Sequence, residues 1–209
     1  MEIYKTEQEK FWAGKFGDDY IARNQSTKLI ASNIALFSKI LSHTKNVKAV
    51  LEFGANIGLN LKAIKTLKPE LICTAVEINR AAANVLVTEM SDVRVLCQSI
   101  LDFIPDNAQH DFVLVKGVLI HLDPAVLNRV YEILYASATT YICIAEYYNP
   151  TPVEIEYRGH SGRLFKRDFA GELLDKYPDL ILEDYGFVYR RDNNFAQDDM
   201  TWFLLKRKA

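Results

Sequence analysis

The chain has 209 residues, 49% hydrophobic and 25% charged, enough for one well-buried core and short for two. A formal net charge of −2 lacks the basic excess that marks a nucleic-acid partner, leaving only a local basic patch open. No run of eighteen apolar residues exists to cross a membrane, and Met1-Glu2-Ile3-Tyr4-Lys5 lacks the charged, apolar and cleavage regions of a signal peptide.

Residues 4–23 form a polar-aromatic segment carrying Phe11, Trp12, Phe16 and Tyr20. Ser26 or Thr27 can cap a following helix, whose Ile30, Ile34, Phe37 and Leu41 share one face. The chain then alternates. Strands are expected near 48–53, 71–77, 93–98, 111–117 and 141–147, with helices near 58–67, 79–90 and 124–138. Asp123-Pro124 reads as an N-cap followed by proline at the first helical position. The three cysteines, Cys73, Cys97 and Cys143, fall separately inside apolar strand-like runs without metal-ligand spacing. They read as reduced, buried thiols of a cytoplasmic protein, and no metal site is expected.

A Pro- and Gly-containing loop is expected from about 148 to 167. A short helix follows, starting at Asp168 and ending before Pro178. Strand-like runs at 180–190 and 200–206 are joined too closely for a crossover helix, so they pair antiparallel. The alternation predicts an α/β fold with helices on both faces of a mostly parallel sheet, and ligands outside the carboxyl ends of its strands. One domain, 1–209, is expected, with 1–45 as a helical cap or lid.

The densest signal is Val50-Leu51-Glu52-Phe53-Gly54-Ala55-Asn56-Ile57-Gly58-Leu59-Asn60. A buried strand ends in an acid, turns through two glycines and enters a helix. A second apolar run, Thr74-Ala75-Val76-Glu77, also ends in an acid. A carboxylate at that strand tip can accept from both hydroxyls of a ribose. The middle and last glycines of a dinucleotide turn are Asn56 and Leu61 here, and no phosphate-cradling G-x-x-x-x-G-K-[ST] run exists. A nucleoside ligand without phosphate fits, and S-adenosylmethionine is such a ligand.

Alternating units closed by a terminal hairpin resemble the Rossmann-like class I S-adenosylmethionine-dependent methyltransferases. The resemblance implies a seven-stranded sheet of order 3-2-1-4-5-7-6 with an antiparallel C-terminal hairpin. More closely, the chain resembles the pseudaminic acid biosynthesis-associated methylase family. That resemblance rests on Thr6-Glu7-Gln8-Glu9, Phe11-Trp12-Ala13-Gly14, Phe16-Gly17, Tyr20-Ile21-Ala22-Arg23-Asn24 and Leu51 to Gly58. Lys116-Gly117-Val118-Leu119-Ile120-His121-Leu122, Tyr157-Arg158-Gly159-His160, Leu164 to Glu172 and Asp199-Met200-Thr201-Trp202-Phe203 extend it. It implies methyl transfer to O or N of a small molecule, a nonulosonic-acid or related surface-sugar precursor. Many class I enzymes carry glycine where Asn56 stands; the closer family has asparagine there too.

Glu52 can orient the cofactor's amino group, directly or through water, or simply pin the glycine turn. Gly54 admits close backbone approach, and Gly58 frees a helix N-terminus for the cofactor's carboxylate. Asn56 belongs to the same turn. Glu77 can take the ribose, or else is a solvated strand end. Ser99 and Ile100, in the loop that clasps adenine in resembling enzymes, and Ile78 complete the cofactor set together with Lys116. His121 reads either as a general base or as support for the helix start. Arg158, His160, Arg163, Lys166 and Arg167, interleaved with Tyr147, Tyr148, Tyr157 and Phe165, suit an acceptor bearing a carboxylate or phosphate, or else form a solvated loop. Tyr20 and Arg23 join this acceptor set from the lid, and Trp202 reads as core. Two other functions remain open: methylation of an unrelated small anionic metabolite, and a catalytically silent S-adenosylmethionine-binding subunit.

Overall fold

The computed structural model of the chain describes residues 4–21, 27–105 and 110–208. Arg23 and the expected cap Ser26 lie outside the described residues. The N-terminal segment forms two short helices, α1 (Glu7–Ala13) and α2 (Lys15–Ile21), followed by α3 (Thr27–Ser42). α1 opens with a capping box: Thr6 accepts from the Glu9 backbone N–H while the Glu9 carboxylate reaches back to the Thr6 N–H.

The alternating region then runs β1 (Ala49–Phe53), α4 (Leu59–Leu67), β2 (Ile72–Glu77), α5 (Arg80–Glu89), β3 (Val93–Cys97), β4 (His110–Lys116), α6 (Leu127–Ser137) and β5 (Ala138–Glu146). Asp123 caps a 3₁₀ turn, Pro124–Val126, that leads into α6. After β5 come β6 (Val153–Tyr157), β7 (His160–Lys166), α7 (Phe169–Lys176), β8 (Leu180–Val188) and β9 (Met200–Arg207). The sheet order is β3-β2-β1-β4-β5-β9-β8. Its first five strands pair parallel, and β9 pairs antiparallel with both β5 and β8. This is the strand order and antiparallel terminal hairpin that the resemblance implied.

The core divides by strand periodicity. Val50, Phe112, Leu114, Tyr141 and Cys143 pack with Phe37, Leu61 and Leu86 on the α3–α4 side. Leu51, Phe53, Val113, Val115 and Ile142 pack with Leu134, Phe169 and Leu173 on the α6–α7 side. Trp202 is buried in the first of these layers.

Two expectations need correction. Residues 148–167 are not simply a loop: β6 and β7 form a separate antiparallel hairpin. Its turn is built from Arg158 (φ +52°) and Gly159 (φ +81°), the left-handed pair that suits right-twisted strands. Cys97 is exposed at the end of edge strand β3, while Cys73 and Cys143 are buried. Among the described residues, no helix is long and apolar enough to cross a membrane.

Candidate active site

The tips of β1, β2, β3 and β4 open into a cavity of about 450 Å³, roofed by α1 and α2. At the β1 turn, Gly54 has φ +70° and its N–H donates to the Val76 carbonyl at 2.8 Å. A Cβ at Gly54 would stand 2.3 Å from Val118 Cγ2, so the position needs glycine on both counts. Asn56 also has positive φ (+48°). Gly58 starts α4 without any side-chain cap, leaving first-turn N–H groups at the cavity wall beside Leu59 and Asn60.

Glu52 is fully buried on β1 and lies behind the wall rather than on it. Its Oε1 accepts from Asn60 Nδ2 at 2.6 Å, and Asn60 lines the cavity. Its Oε2 has no partner among the described residues. Burial pushes the carboxyl up to about 7, against the pull of Asn60 and Lys116. Glu77 lies on the wall itself. The Asn56 N–H donates to its Oε2 at 2.8 Å and the Asn79 N–H to its Oε1 at 2.7 Å. Each oxygen keeps capacity for another donor. Burial again raises the carboxyl, with those backbone donors working against it.

Asn79 fixes the roof to this strand tip. Its oxygen caps α5 through the Ala82 N–H at 2.9 Å. Its Nδ2 donates to the Trp12 carbonyl at 3.2 Å and to Asp18 Oδ1 at 2.8 Å. Past β3, Ser99 caps a 3₁₀ turn, and its hydroxyl donates to Glu9 of α1. Ile78, Ser99 and Ile100 all line the cavity.

At β4, Lys116 is half-buried on the cavity wall. Burial lowers its ammonium below the usual lysine value, while Glu52, Asp198 and Glu146 pull it back up. Glu146, at the end of β5, accepts from the Val118 and Leu119 N–H groups at 2.8 and 2.9 Å. This ties down the turn that delivers His121. Burial raises the Glu146 carboxyl to about 7.

His121 is buried at the cavity edge, its ring 4.7 Å from Trp12 and 4.8 Å from Tyr157. Its Nδ1 lies 2.6 Å from the Arg163 carbonyl oxygen. A carbonyl only accepts, so Nδ1 carries the hydrogen and Nε2 keeps its lone pair. Burial lowers the imidazole to about 4.

The structure thus brings Gly54, Asn56, Glu77, Ile78, Ser99, Ile100, Lys116, His121 and Tyr20 onto one wall, with Glu52 and Gly58 directly behind it. It does not converge the basic cluster there. Arg167 binds Glu172 at 2.6 Å. The Arg163 guanidinium stacks over Phe11 at 5.0 Å, and His160 meets the same ring edge-on at 5.1 Å. Arg158 lies over Tyr157, and Lys166 over Tyr147. Burial and a hydrogen bond to Asp198 raise the Tyr147 hydroxyl. Sequence reasoning missed Gln8, Glu9, Asn60 and Asp198 on the wall. Glu9 is hidden in sequence by its role in a capping box, and Asp198 by its place in a turn-rich loop.

No protein-family model matches the chain, and no curated protein does. Among solved structures, the chain is similar to an S-adenosylmethionine-dependent methyltransferase of Leishmania major, at TM-score 0.73 and 14% identity, covering 96% of this chain and 82% of that one. It is also similar to the 1,6-didemethyltoxoflavin-N1-methyltransferase of Burkholderia thailandensis, solved with 1,6-didemethyltoxoflavin and S-adenosylhomocysteine, at TM-score 0.72 and 14% identity over 96% and 87% of the two chains. A third is an amino pentose methyltransferase of Micromonospora echinaspora with S-adenosylmethionine bound, at TM-score 0.62 and 11% identity over 92% and 96%. These likenesses establish the fold.

Proposed function

We propose that the chain is an S-adenosylmethionine-dependent methyltransferase acting on O or N of a small-molecule acceptor. The observation that carries this is Glu77, a buried carboxylate held by two backbone N–H groups at a strand tip, facing the cavity with acceptor capacity to spare. Fold neighbours with S-adenosylmethionine or its product bound support the choice of cofactor.

The residues present fit that cofactor. Glu77 would accept from both ribose hydroxyls. The unpartnered Glu52 Oε2, with Asn60 in front of it, makes an anionic corner for the ammonium. The uncapped start of α4 suits the carboxylate. Ile78 and Ile100 offer apolar faces to the base. When bound, S-adenosylmethionine supplies a methyl group already activated on a sulfonium. The protein's share is to align the acceptor, exclude water and take a proton. Trp12 and Tyr157 hold the His121 ring, and Nε2 is its free proton acceptor.

The acceptor we propose is a nonulosonic-acid or related surface-sugar precursor, a reading supported by the resemblance and by a fold neighbour that methylates an amino pentose. Lys116 and Arg190 on the wall would meet its anionic group, with Arg158 on the neighbouring hairpin turn as a further candidate. Methyl-transfer assays with free and nucleotide-activated nonulosonic acids, read by mass, test it. No methylated product from either class removes the sugar reading.

A further inference from the structure

Strand order sets where each part of the proposed cofactor lies. Neighbouring strands are about 4.8 Å apart, so β1, β2 and β3 present their tips side by side. An amino-acid end at Glu52 and Asn60, with a ribose at Glu77, puts the base over the β3 tip, at Ser99 and Ile100. Gln98 and Ser99 stand there, and neither is an acid. An acid reaches this loop from another element. Glu9 of α1 is only 4% exposed, lines the cavity and accepts from the Ser99 hydroxyl. Its other oxygen is held by the N–H groups of Lys5 and Thr6, at 2.5 and 2.9 Å. Lys5 pins the helix to the same loop through the Leu101 carbonyl at 3.1 Å and Asp102 at 2.5 Å.

Beside it, Gln8 lines the same cavity and is 7% exposed. Its Nε2 donates to the Gly162 carbonyl at 3.1 Å, which fixes the orientation of the amide. The remaining oxygen, Oε1, is buried with no donor among the described residues. A buried acceptor without a partner is costly. Two acceptors from one helix call for a donor with two hydrogens, and the exocyclic amine of adenine is one.

We propose that Glu9 and Gln8 of α1 read the exocyclic amine of the cofactor's adenine, so that base specificity is supplied by the roof rather than by the β3 loop. The inference rests on the proposed function.

The experiment compares S-adenosylhomocysteine with its hypoxanthine analogue, S-inosylhomocysteine, by calorimetry. The analogue places a carbonyl oxygen where the amine was, opposite two acceptors. The wild-type chain should prefer the adenine form by at least about tenfold. Glu9→Gln can turn its amide to donate to that carbonyl, and should narrow the preference at least about fivefold. Gln8→Met leaves the capping box intact and should narrow it too; it decides the matter if Glu9→Gln does not fold. Equal wild-type binding of the two ligands, or an unchanged preference in folded variants, overturns the inference while leaving the cofactor reading in place. Binding of neither ligand by the wild-type chain overturns both.

Discussion

The Nδ1 of His121 and the carbonyl oxygen of Arg163 lie 2.6 Å apart, joining the turn after β4 to strand β7. The contact assigns the ring's hydrogen to Nδ1 and leaves Nε2 as the acceptor. Burial lowers the imidazole to about 4, so the ring is neutral throughout the physiological range.

If His121 is the base, His121→Ala should lower kcat by at least about a hundredfold with cofactor affinity nearly unchanged. The acidic limb of the wild-type kcat profile should fall near pH 4 rather than near the ordinary histidine value. A variant with near-normal kcat makes the residue a support for the turn and leaves alignment as the main source of rate.

The same burial affects stability. Between about pH 6.5 and 4 the unfolded chain binds a proton at His121 that the folded chain does not. This group's contribution is present above pH 6.5 and is lost as pH falls toward 4. Comparing wild type with His121→Gln in denaturant titrations at pH 7.5 and 5 should show the wild type losing more stability on acidification. Equal losses would refute the assignment.

Glu77→Ala removes both spare acceptors at the β2 tip. At about 1–3 kcal/mol for bonds to a charged group, affinity for S-adenosylhomocysteine should fall on the order of tenfold to a hundredfold. Calorimetry measures this directly, and NAD should give no heat. Unchanged affinity in a folded variant would remove the anchor of the functional reading.

Glu52 carries an opposite pH signature. Its folded value, about 7, lies above its ordinary one, so its contribution to stability is present below about pH 4.5 and is lost as pH rises through 7. A bound ammonium favours the ionised form. Cofactor affinity should therefore rise with pH through about 7, with proton release detectable by calorimetry in buffers of different ionisation heat. Glu52→Gln should raise the melting temperature at pH 8 and weaken cofactor binding. A variant that binds normally would show that the corner has no role in holding the ammonium.

Arg167→Ala should cost about 1 kcal/mol of stability, because it breaks the half-buried pair with Glu172, and leave acceptor KM unchanged. Arg158→Ala, on the exposed hairpin turn, should raise acceptor KM if the acceptor is anionic, with an effect that shrinks as salt rises. Kinetics in which neither variant alters KM would leave Lys116 and Arg190 to meet the acceptor's charge.

The parts legible in sequence were those where local chemistry and tertiary role coincide. Apolar runs ending in Glu52 and Glu77, glycines needing positive φ and the close pairing of the last two strands each follow from one physical demand. The hairpin of β6 and β7 was hidden because most of its residues are exposed and no apolar face marks it; the Arg158-Gly159 turn was its only local signal. Glu9 was hidden for the opposite reason: Thr6-x-x-Glu9 is fully explained by helix capping, although the same carboxylate also reaches Ser99. The arginines of the late segment were visible as a cluster in one dimension. Folding sends their side chains to Phe11, Tyr157 and Glu172.

Strand β7 offers two successive carbonyls to two different partners. Gly162 takes the Gln8 amide and Arg163 takes the His121 ring. Separating β7 from α1 and from the turn after β4 would break both bonds, and the imidazole would then be free to exchange tautomers. The tautomer of His121 therefore depends on β7 staying docked, and any base role of the ring would depend on it too.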